Sequence, residues 1–248
     1  MSEKILSVIN QKGGVGKTTT VINLAAGLSM QGKKILVIDL DPQGNATTGF
    51  GLSNINQNNT IYDVLNGNCT IHEAIKDTKI KNLKLIPSNV DLSGLEVETA
   101  EDSNRAFILK TQLTAYLNNS SVSYDYVLLD CPPSLSLLTV MALVSSSSLL
   151  VPLQTEFFAL EGLTQLMKTI ERIKVSLNPD LKIRGILLTM YDKRNRLSSQ
   201  VEKEARDYFR EKVYSTVIPR NVRLSEAPSH GVPVLIYDKS CPGSKSYF

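Results

Sequence analysis

The chain has 248 residues, 42% of them hydrophobic, with 27 Lys+Arg against 24 Asp+Glu and a formal net charge of +3. A chain of this length buries roughly 70–75% of its unfolded surface and needs no disulfide or metal staple, and its near-neutral balance excludes a polycation whose whole surface would seek phosphate. No apolar run approaches the roughly 18 residues that span a bilayer, and the start, Met1-Ser2-Glu3-Lys4, leads into too short an apolar stretch for a signal peptide, so a soluble cytoplasmic protein is expected.

Residues 5–9 predict the first strand. A glycine-rich turn follows. Residues 18–31 then read as a helix, with Leu24 and Leu28 one turn apart and Gly32 as its stop. The next strand is 35–38, and another lies at 83–86. From there strands and helices alternate: helix 106–117, strand 126–129, helix 135–144, strand 149–153, helix 160–175, strand 183–188, helix 197–209 and strand 213–218. The strands are unbroken apolar runs, as in parallel strands buried on both faces. The alternation predicts an α/β fold, a mostly parallel twisted sheet of about seven or eight strands with helices on both faces. No repeat, low-complexity tract or Pro/Gly linker divides the chain, so residues 1–248 are read as one domain. Cys69, Cys131 and Cys241 are far apart and odd in number, which argues against a disulfide framework or a zinc site. His72 and His230 have no triad or metal partners in the sequence and are read as structural.

The strongest chemical signal is the turn after the first strand, Gln11-Lys12-Gly13-Gly14-Val15-Gly16-Lys17-Thr18-Thr19-Thr20. A strand, a glycine-rich turn and a helix start are the setting a phosphate loop requires. Glycines let backbone N–H groups close around phosphate oxygens, and the helix N-terminus adds about half a positive charge. Gly13, Gly14, Val15, Gly16 and Thr19 would form the cradle. Lys17 would reach the β- and γ-phosphates, and the Thr18 hydroxyl would ligate Mg²⁺.

Gln11 stands at the usual first glycine of such a loop, and Lys12 precedes two glycines. This K-G-G-x-G-K-T form resembles the deviant Walker A motif of the ParA/MinD class of P-loop ATPases. Asp39-Leu40-Asp41-Pro42-Gln43-Gly44-Asn45 resembles the switch I motif of that class. Tyr124-Asp125-Tyr126-Val127-Leu128-Leu129-Asp130-Cys131-Pro132-Pro133 resembles Walker B running into switch II. The segment Thr216 to Gly231, with Pro219-Arg220-Asn221-Val222-Arg223 inside it, resembles the chromosomal ParA/Soj branch. The likeness runs from about residue 4 to 247.

That resemblance implies a P-loop NTPase domain acting as an ATPase of bacterial chromosome or plasmid partition, with ATP and Mg²⁺ as cofactors. It implies that Asp41 positions the attacking water, that Asp39, Asp41 and Asp130 support the Mg²⁺ shell partly through water, and that Lys12 reaches the partner's ATP across a homodimer. Asp41 also reads as an ordinary turn or cap residue, and Lys12 as a solvated lysine. Adenine contacts are expected from Met190, with Thr189 and Tyr191 beside it, and from Pro219 and Asn221. Sequence-independent DNA binding is expected of Arg194 and Arg223, with Arg196, Arg220 and Lys193 as neighbours. A ParB-like protein is the implied stimulating partner, the nucleoid the implied location, and no membrane is expected.

The charge pattern bears on this. Residues 182–223 hold eleven basic and five acidic side chains, so this stretch carries +6 and the remainder −3. Such asymmetry suggests an electrostatic face, although a solvated helix face reads the same way. Two other classes compete. A MinD-like membrane ATPase would carry a basic amphipathic C-terminal helix, which the ending Lys239 to Phe248 lacks. A metabolic enzyme on the same loop, or an iron–sulfur ATPase, is the other; the latter needs two suitably placed cysteines, and only Cys131 lies near the site. The chain stops at Phe248 soon after Gly243 to Tyr247, where the resembled branch continues into a terminal helix, so that helix is expected to be absent.

Overall fold

The computed structural model describes residues 5–52, 58–120 and 122–248. Residues 1–4, on which the signal-peptide reading partly rests, lie outside them. Eight strands form one sheet: β1 (Ile5–Val8), β2 (Ile35–Asp39), β3 (Lys76–Asp77), β4 (Leu83–Ile86), β5 (Tyr126–Asp130), β6 (Ser148–Gln154), β7 (Lys182–Tyr191) and β8 (Val213–Pro219). Their order is β3-β4-β2-β5-β1-β6-β7-β8. Every pairing is parallel except β3 with β4. The expected parallel sheet is present, and β3 is the addition; two residues are too few to leave a periodic signal.

Parallel strands require crossovers, and helices supply them. The long ones match the sequence reading within about two residues: α1 (Lys17–Met30), then, past the middle of the chain, α6 (Ile108–Asn119), α7 (Leu137–Ser145), α8 (Ala159–Ser176) and α9 (Arg196–Phe209). Between β2 and α6 the sequence reading held only one strand. The structure adds α2 (Asn45–Gly49), α3 (Ile61–Leu65), α4 (Ile71–Ala74) and α5 (Leu95–Glu98). Helices of four or five residues show no 3.6 period, but two left a readable sign. Thr60 with Asp63 and Thr70 with Glu73 form capping boxes at the starts of α3 and α4. The chain ends in α10 (Val222–Glu226), α11 (Val234–Tyr237) and α12 (Pro242–Tyr247).

Two apolar layers sandwich the sheet. Along β2, Ile35 and Val37 enter the layer shared with α1, while Leu36 and Ile38 enter the layer shared with α6 to α9. Alternation on a strand buried on both sides produces this division. On the α1 side the chain terminus is docked: the Tyr247 hydroxyl lies 3.0 Å from Thr20 Oγ1. The last helix, α12, packs on α1 and β8. No helix among the described residues is long and apolar enough to cross a membrane.

Candidate nucleotide and magnesium site

The topology brings the three motif segments together. β1 lies between β5 and β6, and β2 lies beyond β5. In the parallel register, Val8 pairs with Asp130 and Asp130 with Asp39. The loops leaving the carboxyl ends of β1, β2 and β5 therefore share one rim. The chain winds to one side after β1 and to the other after β5, and ligands of open α/β sheets bind at such a reversal.

In the loop after β1, Gly14 (φ 73°) and Gly16 (φ 90°) adopt the left-handed conformation, and Gly16 is the N-cap of α1. A side chain at either position would be strained. The loop is tied at three points. Asn10 Nδ2 donates to the Pro152 carbonyl at 2.7 Å, the Lys12 N–H donates to Asn10 Oδ1 at 3.0 Å, and Thr189 Oγ1 donates to the Val15 carbonyl at 2.8 Å. Lys17 is buried, and its Nζ donates to the Lys12 carbonyl at 3.0 Å. Burial pulls the Lys17 pKa down from the usual lysine value, while Asp130, Cys131 and Asp41 act to raise it. Lys12 Nζ forms an ion pair with Glu156.

Asp39, Asp41 and Asp130 are all buried, and they do different things. Asp39 Oδ1 accepts from the Asp41 N–H at 3.1 Å, and its Oδ2 accepts from both the N–H and the hydroxyl of Thr47, each at 2.8 Å. The sequence reading gave Asp39 to the Mg²⁺ shell. In the structure both of its oxygens also hold the loop and α2. Asp41 makes a turn of its own, its Oδ1 accepting from the Gln43 N–H at 3.0 Å. It lines a cleft of about 480 Å³ together with Lys17, Thr18, Gln43 and Pro133.

Asp130 differs from both, because neither carboxylate oxygen has a protein hydrogen-bond partner among the described residues. Burial first, and then the nearby Asp39, push its pKa well above the usual carboxylate range, while the Thr18 hydroxyl and Lys17 oppose the shift. A buried acceptor left in this state needs a donor or a cation. Two of these carboxylates, Asp130 and Asp41, face the single buried lysine, Lys17. The carboxylates do not converge as a direct ligand set; no group of three His, Cys, Asp or Glu able to hold an ion occurs among the described residues. These features fit Mg²⁺ held by Thr18 and phosphate oxygens, with Asp130 reached through its water shell.

Asp39 yields a pH prediction. Burial raises its pKa to about 6, against an ordinary value of 3.8. The folded state therefore holds a proton that the unfolded chain has released, so this contribution to stability is present below about pH 4 and is lost as pH rises through 6. About two pH units amount to roughly 3 kcal/mol. Asp130 acts in the same direction. Melting curves of the Mg²⁺-free protein between pH 5 and 7.5 should show a shallower slope in Asp39→Asn than in the parent; equal slopes would refute the assignment.

A second, smaller cavity of about 130 Å³ opens beside the phosphate loop, lined by Gly16, Thr19, Met190, Pro219, Asn221 and Tyr247, among others. Of the residues expected at the adenine, Thr189, Met190, Pro219 and Asn221 line this cavity, while Tyr191 lines the neighbouring cleft. Met190 has a positive φ of 51°, uncommon outside glycine. Asn221 caps α10, its Oδ1 accepting from the Arg223 N–H at 3.1 Å. Sequence reasoning missed Tyr247 and the bracing Thr47. Tyr247 meets Thr20 across 227 positions and Thr47 meets Asp39 across only eight, and no motif marks either one.

The basic stretch does not form one patch. β7 runs ten residues, roughly 30 Å at the usual rise per residue. Lys182 and Arg184 therefore lie at its far end from the site. Arg206 is half-buried and engaged within the chain, on Glu202 and on the carbonyls of Tyr214 and Ser215. Arg194, Arg196, Arg220 and Arg223 are exposed around the carboxyl ends of β7 and β8. Lys193, Arg194 and Arg220 line a cleft of about 540 Å³, and Arg220 also lines the small cavity beside the phosphate loop. Arg194 makes a two-pronged bond to Asp192, 3.0 Å on each arm, holding that carboxyl down at about 2. Arg223 pairs with Glu226 at 2.8 Å and Asp238 at 3.5 Å. Two of the four arginines thus carry their own counter-ions, which the charge count did not anticipate.

Residues 3–183 match the family model described as an AAA domain. The chain is 53% identical to the chromosome partitioning protein ParA of Caulobacter vibrioides, over 98% of this chain and 91% of that one. It is 49% identical to the sporulation initiation inhibitor protein Soj of Bacillus subtilis, over 98% and 95%. Among solved structures, cobyrinic acid a,c-diamide synthase from Mycobacterium smegmatis with a bound ATP analogue and magnesium superposes with a TM-score of 0.84 at 35% identity, covering 99% of this chain and 91% of that chain.

Proposed function

Because the chain belongs to the ParA/Soj family of chromosome-partitioning ATPases, we propose that it converts ATP hydrolysis into reversible dimerisation and sequence-independent DNA binding in the cytoplasm, on the nucleoid. It is an ATPase with ATP and Mg²⁺ as its ligands. The observation that carries the reading is Lys17, at the end of a loop with two left-handed glycines, beside the buried carboxylate of Asp130, with Lys12 on the same loop. Phosphoryl transfer asks a protein mainly for position and charge. Lys17 and the loop amides of Gly13 to Thr19 hold the phosphates. Asp41, at the lip of the cleft, orients water. Asp39 fixes the loop that presents Asp41. Bound Mg²⁺ would supply charge neutralisation between the phosphate oxygens, with Thr18 and Asp130 as its protein anchors.

Lys12 is half-exposed at the same rim. Phe157 and Phe158 follow Glu156, 74% and 67% exposed with their rings 5.0 Å apart, so a bulky apolar pair lies open beside the loop. Large exposed apolar groups next to a charged site suit a face covered in an assembly. A homodimer meeting across this face would bring Lys12 to the partner's ATP and make nucleotide part of the interface. Hydrolysis, stimulated by a ParB-like partner, would then dissolve it.

Arg220 borders both the small cavity beside the phosphate loop and the basic cleft, which supports DNA contacts next to nucleotide contacts. The ion pairs of Arg194 and Arg223 are exposed, and such pairs are cheap to exchange for phosphate. DNA retention should therefore need Mg-ATP, should fall by an order of magnitude or more in Arg223→Glu, and should decline with salt at a slope near −3.6 in log K against log[salt] for about four phosphates. Filter binding across a salt series checks this. Equal retention by nucleotide-free protein would sink the proposed switch.

A further inference from the structure

One contact at the phosphate loop serves neither phosphate nor magnesium: the ion pair between Lys12 Nζ and Glu156 Oε1. Glu156 lies where β6 ends, just before α8. Its backbone is fixed by the fold. The Glu156 N–H donates to the Gln154 carbonyl at 2.9 Å, and its carbonyl accepts from the Ala159 N–H at 3.0 Å. Lys12 is fixed in the same frame, because Asn10 ties the loop to Pro152 of β6 and also holds the Lys12 N–H. Loop and carboxylate are therefore hung from the same strand, and their meeting is built into the backbone rather than made by two wandering side chains. Glu156 Oε1 is buried and has no hydrogen bond among the described residues beside this pair. Lys17 is also engaged within the chain, on the Lys12 carbonyl. Both lysines of the loop are thus satisfied internally.

We infer that Glu156 is an intramolecular latch: a counter-ion that holds Lys12 against its own subunit until a second copy offers it a triphosphate. The inference rests on the proposed dimer. Lys12 cannot serve Glu156 and a partner's phosphate together, so every dimer formed must break two latches. Glu156 is a positioning residue, acting through Lys12. Its effect is to raise the protein concentration at which Mg-ATP drives dimerisation, and so to keep isolated subunits apart. A single partly exposed pair is worth little, but two breaking together change a dimer equilibrium by roughly 5–30-fold.

Two measurements on Glu156→Gln test this separately. In the nucleotide-free protein, acylation of Lys12 by a small amine reagent, followed by mass spectrometry against Lys33 as internal reference, should rise several-fold. That readout does not depend on dimerisation, and an unchanged rate overturns the latch. In Mg-ATP, sedimentation should place the dimer midpoint at roughly 5–30-fold lower protein concentration, and the shift should vanish when Glu156→Gln is combined with Lys12→Ala. A shift that persists in the Lys12→Ala background assigns Glu156 a structural role instead and overturns the inference. Faster acylation with an unmoved midpoint leaves a contact without regulatory effect and also overturns it. If the parent protein never dimerises in Mg-ATP, the proposed function fails, while the acylation result still decides whether the contact forms.

Discussion

Lys17→Ala should lower ATP turnover by about 10³-fold, measured as phosphate release at saturating Mg-ATP. Removing one preorganised group aimed at developing phosphate charge costs roughly 10²–10³, and Lys17 has a second duty that raises the expectation to the upper end. It is buried beside Asp41 and Asp130, so it is the cation that tempers two carboxylates at the mouth of a phosphate site. Without it, a triphosphate would meet an acidic rim. Substrate affinity should therefore fall together with turnover, and the loss should be largest in kcat/KM. The fold should survive, because the loop is held by Asn10, Thr189 and its glycines rather than by the lysine. Turnover within tenfold of the parent would remove Lys17 from the chemistry.

Asp130→Asn should move activity and stability in opposite directions. Its two carboxylate oxygens are buried with no hydrogen bond made among the described residues, and burial together with Asp39 opposes its ionisation more than the nearby Thr18 hydroxyl and Lys17 favour it. Replacing the acid with a neutral amide removes that penalty, so the nucleotide-free variant should melt a few degrees higher than the parent, each kcal/mol being worth about 2–4 °C in a chain of this size. Hydrolysis should fall by about 10² or more, because the carboxylate that anchors the magnesium shell is gone. The stabilisation that Mg-ATP confers on the parent should shrink as well, as linkage requires of weakened binding. Active sites commonly hold such stored instability. A variant that melts lower in the absence of nucleotide would mean that Asp130 is a structural acid with a partner other than metal.

Asp130→Asn and the Asp39→Asn melting series separate residues the sequence treats alike. Asp39, Asp41 and Asp130 all stand in recognisable motifs at strand ends. Spacing along the chain does not say which oxygen is already occupied. That Thr47 and the Asp41 N–H fill Asp39, while Asp130 is left open, follows from where α2 folds back. α2 is five residues long and carries no periodic pattern. The charge count meets the same limit. A run of basic residues in sequence became two separate ends of a long strand, with Arg206 engaged within the chain. Glu156 has no motif at all; its meaning depends on Lys12, 144 positions away.

The sequence alone determined the sheet, its long helices, the phosphate loop and the order of the three motifs. These are local properties: apolar runs, helical spacing, and glycines placed where a left-handed backbone is needed. The tertiary structure decided which carboxylate braces the loop and which has no hydrogen bond among the described residues, which arginines are already paired, and that Lys12 meets Glu156. Those outcomes are set by what the parallel register lays side by side. A buried charge is defined by its neighbours, and in this fold most of those neighbours come from the far end of a crossover.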